Sequence, residues 1–500
     1  MKNYMPLKSG TDIRGVASDI FGSEINITNQ AISDITAGFA VLLSKKAGKA
    51  FGNLKVAVGH DSRITSDQIR LCVIDSLSKS GITVLDCGLS STPAMFMTTI
   101  DADTDGAIEI TASHHPADRN GLKFFTRKGG LDGCDIEAII KIAESNERPT
   151  LSIGEIIPTN FMAVYAARLR KMICEGLERS EGELPLKGFH IVVDAGNGAG
   201  GFYATDVLEP LGADIGGSVF LNPDGMFPNH IPNPENETAM ESICGAVTKS
   251  KADLGVIFDT DVDRAGCVDK SGSEINRDRL IALASAIAIE SNPGATIVTD
   301  SVTSDGLKLF IEKDLHGKHH RFKRGYRNVI NEALKLCEEG TNSPLAIETS
   351  GHAALKENYF LDDGAYLVTK IIIKLGTLRK SGKDLEDLIG NLECPVESDE
   401  LRFNIACSDF KDYGTTVISA LEKFLKSEPS FKIADDNREG IRVSALDGWF
   451  LLRLSVHDPL MPINIESNHV GGVREILQKL YPFFKAQTSL DISSLNSRLQ

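Results

Sequence analysis

KVAVGHDSRITSDQIR, Lys55 to Arg70, joins a run of mostly apolar residues to an acidic residue, a polar turn and a stretch with helical spacing. The apolar run does not alternate with polar residues, so both faces of the strand are expected to be covered. The same rhythm returns in HIVVDAGNGAGGFYATDVL, His190 to Leu208, and in TIVTDSVTSDGLKLFIE, Thr296 to Glu312. Strand, turn and helix in that order indicate βαβ units. Three such openings predict an α/β protein with three related α/β domains built on mixed sheets. From about Glu393 the pattern changes: ELRFNIAC alternates, DYGTTVISALEKFLKS is helical and IRVSALDGWFLLRLSV follows. A smaller C-terminal α+β domain is therefore expected. The boundaries are placed at 1–158, 159–272, 273–390 and 391–500.

Five hundred residues are too many for one core, and 42% hydrophobic with 24% charged residues is ordinary globular composition. A formal charge of −16 argues against a general nucleic-acid or anionic-membrane binder, both of which need clustered Lys and Arg. An anionic substrate needs only one local basic pocket. The start, MKNYMPLKSGTDIRG, has no apolar core of signal-peptide length, and no later run approaches the ~20 apolar residues of a membrane span. Nine scattered cysteines without a C-x-x-C pair are expected to be reduced. These features point to a cytoplasmic protein with neither nucleic-acid nor membrane partners.

Four stretches call for chemistry. In EITASHHPADRNGLKFF, Glu109 to Phe125, a strand ends at Thr-Ala-Ser. Taken alone, Ser113 could be a helix N-cap or turn residue. Pro116, Asp118 and Asn120-Gly121 instead predict a loop returning to a second strand, which leaves Ser113 at a carboxyl strand end, where α/β sheets place ligands. No G-x-S-x-G elbow is present for acyl transfer. A serine among histidines and Lys123 suits phosphoryl transfer better, because positive groups neutralise phosphate oxygens. In ADLGVIFDTDVDRAGCVD, alternate side chains of an extended chain would bring Asp259, Asp261 and Asp263 to one side. A solvated acidic turn is the plain alternative, but three like charges repel unless a cation sits among them. An EF-hand is excluded by Arg264 and Lys270 at its glycine and glutamate positions, and oxygen ligands with open positions suit Mg²⁺ shared with a phosphate. In AIETSGHAALKENYFLDDGAYL, Glu348, Ser350 and His352 follow a strand, and Gly351 permits close backbone approach. They could grip vicinal sugar hydroxyls or form a capped turn. RLSVHDP, Arg453 to Pro459, offers a guanidinium, a hydroxyl, an imidazole and backbone N–H groups, which can form an anion nest or simply an edge strand.

Gly196-Asn-Gly198-Ala-Gly200-Gly201 contains the G-x-G-x-x-G pattern of dinucleotide binding. Asp194 just before it would face a pyrophosphate with the wrong sign, and Asp214 begins the next apolar run instead of ending it. A nicotinamide dehydrogenase is therefore disfavoured.

Together these stretches resemble the α-D-phosphohexomutases, the phosphoglucomutase/phosphomannomutase family. The resemblance runs nearly end to end through SGTDIRG, VGHDSRITS, GLSSTPAM, TASHHP, NGLKFF, VVDAGNGAGG, FPNHIPNP, DTDVDR, ETSGH and RLSVHDP. It implies four domains around one central cleft and an isomerase-class intramolecular phosphotransferase. Such an enzyme interconverts hexose 1-phosphate and hexose 6-phosphate, of glucose and/or mannose, through a phosphoserine and a hexose 1,6-bisphosphate that serves as intermediate and activator. By motif, the phosphoserine would be Ser113, and Mg²⁺ would be held by its phosphate with Asp259, Asp261 and Asp263. Arg264, Arg14, His114 and Lys123 would surround the transferring group. Glu348 and Ser350 would hold sugar hydroxyls, His352 would face the reacting end, and Arg453, Ser455 and His457 would clamp the distal phosphate. The implied partners are small-molecule sugar phosphates, and the assembly a monomer or homodimer. A non-catalytic sugar-phosphate binding or regulatory protein and a metal-dependent sugar phosphatase are the competing readings.

The chain departs from the family pattern at three loops. Thr260 and Val262 replace the glycines of Asp-Gly-Asp-Gly-Asp-Arg, and a valine is poor at φ > 0, so this loop is expected to stay extended. His457-Asp458 stands where Thr-Glu is common, and Arg324-Gly325-Tyr326 stands for Thr-Gly-His.

Overall fold

The structure, a computed structural model, describes residues 2–145, 153–435, 437–455 and 458–500. The chain packs as two compact units, Met1–Ala288 with Pro344–Ile389 and Ile289–Ser343 with Gly390–Gln500. The stretch expected to form a third domain contributes to both units.

The first unit opens with an eight-stranded mixed sheet. Its strands are β1 (Lys8–Ser9), β2 (Asp12–Val16), β3 (Lys55–His60), β4 (Thr83–Leu89), β5 (Gly106–Ile110), β6 (Arg119–Thr126), β7 (Gly129–Gly130) and β8 (Ile156–Pro158). They run in the order β1-β2-β6-β5-β3-β4-β8, with β7 on β6. β3 is parallel to β4 and β5, whereas β6 returns antiparallel between β5 and β2. Covering one face is the helix Asn29–Ala47, which Thr28 starts by accepting from Ala31 N–H and Gly48 ends at φ +64°. Its Ile32 and Phe39 pack with Val56, Val58, Ile108 and Phe124. Each such buried side chain stabilises the fold by about 1.5–3 kcal/mol.

A second sheet in the same unit has β9 (Ile191–Asp194), β10 (Leu254–Phe258), β11 (Ala265–Asp269) and β12 (Glu274–Ile275), in the order β12-β11-β10-β9. β10 and β11 form a hairpin that pairs Phe258 with Ala265, so 259–264 is its turn. An antiparallel ribbon, Leu345–Ile347 with Ala353–Leu355, docks near this turn. Ala265 N–H donates to the carbonyl of Gly351, which sits at φ +92°, and a Cβ at 351 would lie 2.6 Å from Ala265 O. The close approach expected of this glycine is observed.

The second unit holds a parallel pair, Thr296–Thr299 with Lys318–Arg321, and a six-stranded sheet centred on Ile441–Ala445, Gly448–Leu452 and Leu460–Ser467. Alternation along Glu397–Ile405 buries Leu401, Phe403 and Ile405 beneath helices Phe410–Leu425 and Gly472–Lys485. All nine cysteines are free thiols. Among the described residues no helix is long and apolar enough to cross a membrane.

Candidate active site

Ser113 lies three residues beyond the end of β5, fully buried, with its backbone in the left-handed region at φ +51°. Thr111 Oγ1 accepts from Ser113 N–H at 2.8 Å. The Ser113 hydroxyl lies 3.2 Å from Asp259 Oδ2, 3.2 Å from His114 Nδ1 and 3.4 Å from Arg264 Nη2. The strand end and the β10–β11 turn, about 150 residues apart in sequence, thus meet at one hydroxyl.

The turn corrects the expectation of an extended metal loop. Val262 sits at φ +68°, and its N–H points back toward Asp259 O at 3.3 Å. A left-handed β-branched residue costs roughly 1–2 kcal/mol, and here it is fully buried. The Val262 carbonyl also accepts from Gly364 N–H at 3.0 Å, so surrounding contacts over-determine the conformation. The turn brings Asp259, Asp261 and Asp263 together, with one carboxylate oxygen from each within 4.8 Å of the others. All three are buried. Lys123 Nζ donates to Asp261 Oδ2 at 2.7 Å and to Asp263 Oδ2 at 2.5 Å, while Thr92 holds Asp261 through both its hydroxyl and its backbone N–H. Asp261 Oδ1 and Asp263 Oδ1 remain buried without a hydrogen bond. Three oxygen ligands with two unsatisfied acceptors fit a hard divalent cation. Burial, with the charges of Asp263 and Asp261, pushes the Asp259 pKa well up. At Asp263 burial also acts upward, but Lys123 and Arg264 outweigh it and hold that carboxyl below its usual range.

Arg264 organises the centre. Its Nη2 donates to His114 Nδ1 at 2.8 Å and its Nε to His352 Nε2 at 3.2 Å. His352 Nδ1 lies 2.9 Å from Ser350 Oγ and 3.6 Å from Glu348 Oε2, and Glu348 N–H donates to His352 O. Burial and then Arg264 drive the pKa of both His114 and His352 down, so both imidazoles are neutral at neutral pH. His115 is pushed down to about 4 by burial and then Arg14. Arg14, on β2, pairs with Asp12 at 2.8 Å and lies close enough to bias all three histidines.

Ser113, His114, Lys123, Asp259, Asp261, Asp263, Arg264, Glu348, Ser350 and His352 are thereby assembled in the first unit. Arg453 and Ser455 lie in the second unit, and His457 falls outside the described residues. Arg453 N–H donates to Pro462 O, and its Nε is buried without a hydrogen bond. Burial, then the nearby Arg324 charge, lowers the Arg453 pKa. Ser455 Oγ accepts from Asp458 N–H at 3.2 Å. Arg324 and Ser301 meet there as well, the backbone of one and the hydroxyl of the other donating to Glu439.

The sequence reading missed two residues of the first-unit site. Thr92 supports Asp261 from the helix Thr92–Asp101, whose Ser-Thr-Pro start was the available signal. Glu109, on β5, is fully buried with both oxygens lacking a hydrogen bond, and burial followed by Asp61 and Asp261 raises its pKa well above the usual range. The glycine-rich turn after β9 is internal structure: Asp194 accepts from Gly196 N–H and Ser242 Oγ and contacts His230 at 3.0 Å.

Comparison with known proteins agrees with this architecture. The three phosphoglucomutase/phosphomannomutase alpha/beta/alpha domain models, I, II and III, match residues 7–150, 165–272 and 276–393. A phosphomannomutase/phosphoglucomutase of Pseudomonas putida is 30% identical over 88% of this chain and 88% of its own length. A phosphoglucomutase/phosphomannomutase of Thermococcus kodakarensis is also 30% identical, over 92% of this chain and 97% of its own. The crystal structure of a family protein from Burkholderia thailandensis superposes with a TM-score of 0.78 at 26% identity, covering 96% of each chain. The chain belongs to the phosphoglucomutase/phosphomannomutase family, the α-D-phosphohexomutases, and is a mutase of the isomerase class.

Proposed function

We propose that the chain interconverts hexose 1-phosphate and hexose 6-phosphate, of glucose and/or mannose, through phosphorylated Ser113 and a hexose 1,6-bisphosphate. The observation that carries this reading is the Ser113 hydroxyl 3.2 Å from Asp259 and 3.4 Å from Arg264, beside three converging carboxylates. Mg²⁺, bound by Asp259, Asp261, Asp263 and the Ser113 phosphate, would neutralise charge on the transferring group. In the first transfer the P–O bond to Ser113 breaks as one forms to a sugar hydroxyl, and the hydroxyl proton passes by way of a neutral imidazole to the departing Ser113 oxygen. Arg264 stabilises charge on the phosphoryl oxygens. In the second, Ser113 Oγ takes the other phosphoryl group as its P–O bond to the sugar breaks, and the serine proton passes by way of His114 Nδ1, 3.2 Å away, to the departing sugar oxygen. Lys123 holds two of the aspartates, Glu348 and Ser350 orient His352 and the sugar hydroxyls, and Arg14 adds positive charge. Arg453, Ser455 and His457 are assigned to the phosphate that is not reacting.

The test couples glucose 1-phosphate conversion to glucose 6-phosphate detection, with bisphosphate primer, alongside intact mass. The protein should carry about 80 Da extra for one phosphoryl group, and Ser113→Ala should lose both the added mass and turnover. Substantial turnover in Ser113→Ala would sink the phosphoenzyme. Release of inorganic phosphate without isomer formation would mark a phosphatase, and binding without turnover a regulatory protein.

A further inference from the structure

Arg63 has no part in the chemistry above, yet its side chain is fully buried against the Ser113 loop. Nη1 donates to Pro116 O at 2.7 Å and to Arg119 O at 3.0 Å. Nη2 donates to His115 O at 2.6 Å and to Ser113 O itself. Asp61, whose carboxylate accepts from Arg63 N–H and Ser66 Oγ, lies 3.2 Å from the guanidinium Nε. Four carbonyls of one short loop therefore converge on a single planar donor set. A lysine has three donors radiating from one point and cannot span them.

The geometry matters because of where the Ser113 carbonyl points. With φ at +51°, Ser113 turns its carbonyl toward Arg63 while its hydroxyl faces Asp259 and Arg264. The left-handed backbone of a serine persists only where surroundings hold it. Asn120 ties the same loop down a second time, donating to Thr65 Oγ1 and Ser66 Oγ. The segment following β3 is thus a bracket for the loop following β5.

We propose that Arg63 is a positioning residue for phosphoryl transfer, fixing the Ser113 hydroxyl by gripping the backbone behind it. In-line transfer requires donor and acceptor within a fraction of an ångström of the productive geometry, and a misplacement of about 1 Å can cost roughly 10²-fold in rate. The inference rests on the Ser113 assignment proposed above.

The experiment compares wild type, Arg63→Lys and Arg63→Gln. Arg63→Gln, made together with Asp61→Asn so that no unpaired carboxylate stays buried, carries the same readout if the lysine variant does not fold. Wild-type turnover and phosphorylated mass are recorded first, and their absence would overturn the Ser113 assignment, not the role of Arg63. With those in hand, kcat per folded molecule, judged by circular dichroism well below Tm, should fall on the order of 10²-fold. KM for glucose 1-phosphate should stay within about threefold, since no substrate contact is removed. The phosphoserine ³¹P resonance should shift or broaden, which a loss of stability alone would not produce. A kcat within threefold of wild type in a folded variant overturns the proposal. So does KM rising as kcat falls, which would place Arg63 on the substrate.

Discussion

Gly364 N–H donates to Val262 O at 3.0 Å, so the first residue of the helix Gly364–Arg379 is hydrogen-bonded to the most constrained residue of the aspartate turn. A Cβ at position 364 would lie 2.6 Å from both the carbonyl carbon and oxygen of Arg264. Backbone atoms cannot step aside as a flexible side chain can. Gly364→Ala is expected to destabilise by about 1–3 kcal/mol, the usual cost of overpacking, and to weaken Mg²⁺ activation. Urea unfolding and a Mg²⁺ titration of the rate check both; an unchanged protein would show that the contact relaxes freely.

Val262 gives a reversed ranking. Glycine is ordinarily worse than alanine by roughly 0.5–1 kcal/mol because of its freedom in the unfolded chain. At φ +68° alanine keeps the backbone penalty and glycine does not. Both lose the buried isopropyl group, so Val262→Gly should be at least as stable as Val262→Ala. Urea midpoints for the pair decide it, and the ordinary order would mean the turn changes conformation.

Asp261→Asn removes one negative charge from the cradle while leaving an acceptor for Thr92 and Lys123. Half-maximal Mg²⁺ should rise, and kcat should fall by 10-fold or more with little change in KM, since charge on the transferring group is less neutralised (about 1.4 kcal/mol for each factor of ten). Wild-type rates in the presence of chelator would remove the metal from this site.

His230 and Asp194 supply a pH test away from the chemistry. Burial acts to lower the His230 pKa, but the hydrogen bond and charge of Asp194 outweigh it and raise the pKa above 6.5. A raised folded-state pKa means stability that is fully present below the unfolded value of about 6.5 and lost as pH rises through the folded value. Unfolding free energies of wild type and His230→Gln should therefore diverge at pH 6 and converge toward pH 9. Parallel profiles would show that the pair is not charged.

Arg453→Lys should raise KM for the 1-phosphate and the 6-phosphate alike, since lysine lacks the planar fork that matches phosphate oxygens. Relative KM values for both substrates check it. A change confined to one of them would contradict a clamp that must hold either phosphate.

Much of this was legible in the chain because the signals were local. Lys55–Arg70 and His190–Leu208 contain strand, turn and helix within twenty residues, and the three aspartates sit within five. The turn geometry was not legible: valine's preference argues for extended backbone, and only distant Gly364 and complete burial reverse it. Lys123 was expected beside the transferring phosphate, yet two of its bonds go to the aspartates. Arg63 read as part of a strand-to-helix opening, and nothing within fifty residues announces its four acceptors. Glu109 looked like one more strand residue, because an unpaired buried carboxyl leaves no trace in periodicity.

The interleaving of the two compact units has a consequence at the level of the gene. A reading frame stopped after Ala288 would encode Ser113 and all three aspartates but omit Glu348, Ser350 and His352, which return only with Pro344–Ile389. The ribbon that lends its Gly351 carbonyl to β11 would go with them. No single cut therefore frees the first unit whole. Isolating it requires an excision, with Ala288 rejoined to Pro344 by a linker and translation ended after Ile389, so that the reacting groups are inherited together or not at all.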